Sequence, residues 1–195
     1  MIASPNYIYL MPEEYLKLEE KSNIKHEYID GYAYAMAGAI DAHVTIALNL
    51  ASSLRNHLRG SGCRVYIADM KARIESINRY FYPDVMVTCD RRDRETPKYK
   101  QFPCLIVEVL SDSTEAFDRG DKFADYQQFE SLREYVLINV KRQRVECFRR
   151  NSEGLWVLQS YTAESGTFQL QSIEFEGTME ALYEDVEFEA IEPSN

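Results

Sequence analysis

The run Cys104-Leu105-Ile106-Val107-Glu108-Val109-Leu110 constrains the fold more than any other segment of the 195-residue chain. A continuous apolar stretch of this length, rich in β-branched residues, reads as a central strand buried on both faces, so structure must pack on either side of its sheet. The run carries one carboxylate, Glu108. An unpaired buried carboxylate is costly and tends to take up a proton, so Glu108 requires a partner. For Glu108 alone, a lysine or arginine paired within the fold is as good an account as chemistry.

The surrounding pattern places further elements. Pro12, Glu13 and Glu14 open a helix running to about Glu20, because proline is preformed for a first turn and carboxylates there complement the dipole. Asp30-Gly31 between aromatic-rich segments signals a tight hairpin. Ala47, Leu50, Ala51, Leu54 and Leu58 mark the buried face of a helix from His43 to about Leu58, ended by Gly60-Ser61-Gly62. Arg64 to Ile74, Tyr80 to Thr88 and Phe102 to Leu110 read as three strands. A helix from about Phe117 to Phe129, preceded by the cap-like Ser111-Asp112-Ser113-Thr114, leads to a strand from Glu134 to Val140. Short strands follow near 144–149, 155–161 and 167–173, then a helix near 178–184 and an acidic, solvated tail. The expected architecture is a single α+β domain over 1–195, a mixed sheet flanked by helices. Its core spans about 43–140, with an N-terminal helix and hairpin over 11–38 and C-terminal strands and helix over 144–184.

Charge narrows the function classes. With 22 Lys+Arg against 32 Asp+Glu, the net charge is −10, so no broad positive field draws in nucleic acid or an anionic membrane. A polyanion must be met by a local patch or by a metal. Arg91-Arg92-Asp93-Arg94, Lys141-Arg142-Gln143-Arg144 and Arg149-Arg150 are the basic clusters that offer phosphate contacts. The four cysteines, Cys63, Cys89, Cys104 and Cys147, form no CxxC pair and have no zinc-spaced histidine, which leads to the expectation of a reduced, cytoplasmic chain. No basic and apolar leader opens the sequence and no apolar run matches a membrane span, so no membrane partner is expected. Glycine-rich phosphate loops, G-x-S-x-G and H-E-x-x-H are all missing.

A second lone acid stands in Tyr80-Phe81-Tyr82-Pro83-Asp84-Val85-Met86-Val87, with Pro83 marking an irregular strand entry. Two carboxylates on successive strands repel unless a cation lies between them, and magnesium or manganese with oxygen ligands is the economical solution. Asp118, Lys122 and Tyr126 follow at i, i+4 and i+8 on the next helix, one face of which can meet the end of the Glu108 strand. Taken alone, an ordinary solvated Asp118–Lys122 pair accounts for that spacing better than catalysis does.

Taken in order, Lys25-His26-Glu27-Tyr28-Ile29-Asp30-Gly31, Ala35-Met36-Ala37-Gly38, His43, Asp69-Met70-Lys71, Pro83-Asp84, Ile106 to Ser111, Asp118 to Lys122 and Glu134 to Leu137 resemble the bacterial Uma-two family, a branch of the PD-(D/E)xK nuclease-like fold. The resemblance runs from about Met11 beyond Phe148. It implies a restriction endonuclease-like core in which Asp84 and Glu108 bind magnesium or manganese for phosphodiester cleavage of DNA. It departs at the motif lysine, since the position two residues after Glu108 is Leu110; Lys122 is the candidate replacement. Glu27, His43, Asp69, Lys71, Ser111 and Asp118 are accessory candidates. Glu27 also fits ordinary charge before a hairpin, His43 a helix cap, and Asp69 with Lys71 a pair on one strand face. Three readings stay open: an endonuclease, with a homodimer as one arrangement; an inactive nuclease-fold module binding nucleic acid or protein; and hydrolysis of another phosphoester.

Overall fold

The computed structural model of the protein describes residues 8–188; residues 1–7 and 189–195, the latter part of the expected acidic tail, lie outside the described residues. Pro12 occupies the first turn of α1 (Pro12–Glu19), and Glu14 accepts from the Met11 N–H at 2.7 Å to close that end. The hairpin of β1 (His26–Ile29) and β2 (Tyr32–Ala35) turns at Asp30 and Gly31, with φ of 49° and 94°. Two successive left-handed residues give a turn whose twist matches the flanking strands. Helix α2 (Asp41–His57) buries Ile46, Leu50 and Leu54 along one face.

The middle of the chain supplies β3 (Arg64–Ile67), β4 (Lys71–Ile74), β5 (Arg79–Phe81), β6 (Val85–Thr88), β7 (Tyr99–Lys100) and β8 (Pro103–Leu110). The expected strands 64–74 and 80–88 each prove to be two. A turn in which the Asp69 and Met70 N–H groups donate to Ile67 O separates β3 from β4. Pro83, which has no N–H for a ladder, separates β5 from β6. In both cases the halves enter different sheets. Then come α3 (Glu115–Arg119), α4 (Asp121–Tyr126), β9 (Glu134–Asn139), β10 (Arg144–Arg150), β11 (Trp156–Thr162), β12 (Thr167–Leu170), β13 (Phe175–Thr178) and α5 (Met179–Leu182). The helix expected over 117–129 is broken at Gly120, whose φ of −110° and ψ of −102° are not helical.

Among the described residues a six-stranded sheet has the order β11-β10-β9-β8-β6-β3, a five-stranded sheet the order β2-β1-β5-β4-β7, and β12 with β13 forms a separate hairpin. The β8–β9 pairing is parallel and the other pairings of the larger sheet are antiparallel. Alternation along β8 sends Leu105, Val107 and Val109 into the core shared with α2, and Ile106 and Leu110 into the core shared with Tyr126, Tyr135 and Phe81. Glu108 falls on the second face. Tyr15, Tyr28 and Tyr80 form a third, aromatic cluster under α1, with the Tyr15 and Tyr28 rings stacked at 4.8 Å. The expected mixed α+β architecture is therefore present, split over two main sheets instead of one.

One expectation is corrected. Cys63 and Cys89 are joined in a disulfide across the β3–β6 edge, leaving Cys104 and Cys147 free. Spacing in sequence conceals this pair, because the antiparallel register Arg64↔Thr88 is what brings the flanking cysteines opposite each other. The bridge closes a loop of sequence separation 26, and constraining an unfolded loop of that size is worth ~3 kcal/mol. Thermal unfolding with reductant, or of Cys63→Ser, is expected to show a midpoint lowered by several degrees. An unchanged midpoint would mean that the bridge adds nothing to stability.

Candidate active site

The β6–β8 register pairs Val85 with Val107, so Asp84, the residue before β6, stands beside Glu108 on β8. Asp84 Oδ2 accepts from the Val109 N–H at 2.7 Å, and its Oδ1 lies 2.9 Å from His43 Nε2 at the start of α2. Since a carboxylate only accepts, Nε2 is the protonated nitrogen, and Nδ1 is buried with no partner.

Glu108 and Lys122 are 3 % and 6 % exposed. Lys122 Nζ lies 3.0 Å from Glu108 Oε1, 3.1 Å from Glu27 Oε1 and 3.4 Å from Asp118 Oδ1. Tyr126 donates its hydroxyl to the same Glu108 Oε1 at 2.9 Å. The helical segment carrying the lysine is fastened by Phe123 stacking on Tyr135 at 4.8 Å and by the Tyr135 hydroxyl donating to Asp118 O at 2.9 Å. Despite the break at Gly120, Asp118, Lys122 and Tyr126 still point to one place.

Leu110, at the motif lysine position, is packed in the apolar core on the Glu108 face. A lysine there would approach Glu108 along its own strand; Lys122 delivers an ammonium to that face from the helix above. The electrostatics follow from burial. Desolvation raises the Glu108 pKa well above the usual carboxylate range; Lys122 opposes this, and Asp84 and Asp118 reinforce it. For Lys122 burial acts downward, but Glu108, Glu27, Tyr126 and Asp118 outweigh it and hold the ammonium pKa well above its ordinary value.

Of the accessory candidates, the structure brings Glu27, His43 and Asp118 to this cluster. Glu27 is not ordinary hairpin charge, because β1 is an inner strand of the smaller sheet and directs it to Lys122. The signal was available: like Glu108, it is one carboxylate inside an aromatic and apolar strand. His43 bonds Asp84 instead of capping its helix. Asp69 and Lys71 do not share a strand face, since Asp69 lies in the turn before β4 with its side chain 81 % exposed. Asp69 pairs with Lys25, and Lys71 sits 4.9 Å over the Tyr82 ring. Ser111 turns to Ser113 and Thr114, at 3.2 and 2.9 Å between hydroxyl oxygens.

Among the described residues no three His, Cys, Asp or Glu side chains converge as a metal cage. Magnesium does not need one: it commonly takes one or two carboxylates and completes its shell with water and substrate phosphate. Asp84 and Glu108, hard oxygen donors in a region where carboxylates outnumber cations, fit that requirement.

Removing Lys122 would leave Glu27, Glu108 and Asp118 buried without a cation. Lys122→Met is expected to lose ~3–5 kcal/mol at neutral pH, the cost of stranding buried charge, and to recover part of it as acid protonates the carboxyls. In the wild type, Glu108 binds a proton in the folded state at pH values where the unfolded chain does not. Its contribution to stability is complete below the unfolded pKa of about 4.3 and fades as pH rises through the folded value. The Lys122 contribution is complete below about 10.4 and fades only above it. Glu108→Gln should therefore remove from urea unfolding across pH 4–8 a component that declines as pH rises; a pH dependence identical in wild type and variant would refute the assignment.

A family model described as "Uma2: Putative restriction endonuclease" matches residues 12–180. "Uncharacterized protein slr1290" of Synechocystis sp. is 40 % identical over 179 residues, covering 92 % of this chain and 94 % of the relative. "Uncharacterized protein sll1609" of the same organism is 33 % identical over 167 residues, covering 82 % and 92 %. The crystal structure of "a putative nuclease belonging to DUF820" from Anabaena variabilis superposes with a TM-score of 0.72 at 17 % identity, over 90 % of this chain and 97 % of that one. The fold is that of a restriction endonuclease-like protein. No helix of the described residues is long and apolar enough to cross a membrane.

Proposed function

The chain belongs to the Uma2 family, and from that premise we propose that it is an endonuclease hydrolysing phosphodiester bonds in DNA with magnesium or manganese at Asp84 and Glu108. The observation that carries the reading is the placement of Lys122 Nζ 3.0 Å from a Glu108 that stands beside Asp84 on the adjoining strand. Two acids and an amine at one sheet end are the parts phosphodiester hydrolysis requires, although the amine arrives from α4 and not from the strand.

A divalent cation on this pair supplies Lewis-acid charge to a phosphate oxygen and makes water more acidic. The protein's residues do the rest. His43 and the Val109 N–H hold both oxygens of Asp84 in a fixed orientation, each oxygen keeping a further lone pair. Lys122 and Tyr126 fix Glu108 through Oε1, and the carboxylate so held is the one that would take the cation together with Asp84. Because the surrounding carboxylates keep its pKa high, Lys122 is an ammonium at every working pH. It therefore acts as a fixed positive charge toward the pentavalent transition state and not as a general base.

Nicking of supercoiled plasmid in magnesium, manganese or chelator tests this. Cleavage is expected only with metal, and Asp84→Asn and Glu108→Gln should each lower it by about a hundredfold or more. Metal should also raise the wild-type unfolding midpoint and not that of Asp84→Asn. Cleavage at the wild-type rate by either variant would overturn the proposal. DNA bound but left intact by folded protein would favour the non-catalytic nuclease-fold module instead.

A further inference from the structure

Six of the fourteen arginines of this acidic protein, Arg73 with Glu75 among them, are held by its own carboxylates. Arg79 pairs with Asp30 and Asp125, Arg92 with Asp90, Arg119 and Arg144 with Glu146, and Arg149 with Glu134. Lys141 likewise pairs with Asp112. Each basic cluster singled out in the sequence is thus partly neutralised where it stands, through Arg92, through Lys141 and Arg144, and through Arg149.

One place differs. A cavity of about 360 Å³ between the C-terminal end of α2 and edge strand β3 is lined by Arg55, Arg59 and Arg64. Leu58, Gly60, Cys63, Val65 and Tyr66 complete the lining, and no carboxylate is among them. Among the described residues none of the three guanidinium groups makes an ion pair; Arg59 donates only to Asn56 Oδ1, at 3.2 Å. The helix end contributes carbonyl dipoles, which are negative, so the positive character of the cavity comes wholly from the arginines. In a chain with ten more acids than bases, three unpaired arginines around one acid-free hollow constitute a site for an anion, and planar guanidinium forks suit phosphate oxygens.

The site sits at a defined place relative to the acids. Helix α2 begins beside Asp84, through His43, and reaches Arg55 roughly 18 Å farther along its axis at about 1.5 Å per residue. With strand phosphates about 3.4 Å apart along a duplex, that is a separation of about five base pairs. We infer that the arginine cavity binds a backbone phosphate of the DNA about five base pairs from the bond presented to Asp84 and Glu108, so that the substrate lies along α2 and the β3 edge. The inference rests on the reading of the chain as a DNA-directed protein but not on its being catalytic. It also accounts for how a protein of net −10 engages a polyanion: by one concentrated contact in place of a general field.

Fluorescence anisotropy of labelled duplexes in calcium over a salt series tests it, with no cleavage read. Arg55→Ala/Arg59→Ala/Arg64→Ala is expected to weaken binding of a duplex of about 24 base pairs at least tenfold, and to make the salt slope shallower by about one per arginine. The control Lys17→Ala/Lys21→Ala/Arg133→Ala removes the same charge elsewhere and should leave the slope for the same duplex unaltered. All the substituted side chains are exposed, and unfolding midpoints check that the variants fold. An equal loss in variant and control, an unchanged slope in the variant, or no binding of that duplex by wild type would each overturn the inference. Arginine-dependent binding by a wild-type protein that never cleaves would leave the cavity assignment standing and sink only the catalytic reading.

Discussion

A lysine ammonium enclosed by three carboxylates is the interaction on which the other parts of this molecule depend. Lys122 comes from α4, Glu27 from the smaller sheet, Glu108 from the centre of the larger one and Asp118 from α3. Burying any one of these charges alone would be prohibitive; buried together they are tolerable only if the two sheets and the broken helix meet at one point. The cluster therefore ties register to chemistry. A one-residue slip of β8 would turn Glu108 into the α2 core and strand Lys122. A buried ion pair contributes little net stability compared with apolar packing, but removing one partner strands the others, so the cluster specifies this arrangement more than it strengthens it.

Around that cluster each carboxylate is held by specific donors. Tyr126 fixes Glu108, while His43 and a backbone N–H fix Asp84. Such fastening matters because negative charge in a low-dielectric region reorients easily unless its partners are rigid, and a preorganised site avoids that cost at the moment of reaction. The aromatic packing of Phe123, Tyr135 and Tyr126 supplies the rigidity. It compensates for the helix break at Gly120, which would otherwise let Lys122 swing.

The charge arithmetic of the chain and its distribution in space lead to different conclusions. A net charge of −10 argues against a general attraction to polyanions. Carboxylates hold six arginines in ion pairs, whereas around the cavity at the far end of α2 three guanidinium groups gather with no carboxylate in the lining. Net charge is a sum, whereas recognition depends on local arrangement.

What the amino-acid order determined alone was whatever depends on neighbours in sequence. The proline-led start of α1, the Asp30-Gly31 turn, the buried face of α2 and the central position of β8 follow from local conformational preference and periodicity. The resemblance carried by Pro83-Asp84, Glu108 and Lys122 belongs here too, because a motif is itself a sequence pattern. What only the tertiary structure decided was every fact set by contact between distant segments. The two long β runs were divided between sheets because Pro83 and the turn at Asp69 redirect the chain, and composition alone reads through both. Cys63 and Cys89 became partners through strand register. Glu27 ceased to be hairpin charge once β1 lay inside its sheet, and Asp69 and Lys71 parted because a turn, not a strand, joins them. The physical reason is common to all of these: local preferences act over a few residues, whereas burial and charge pairing are set by the closure of long loops, which sequence spacing does not measure.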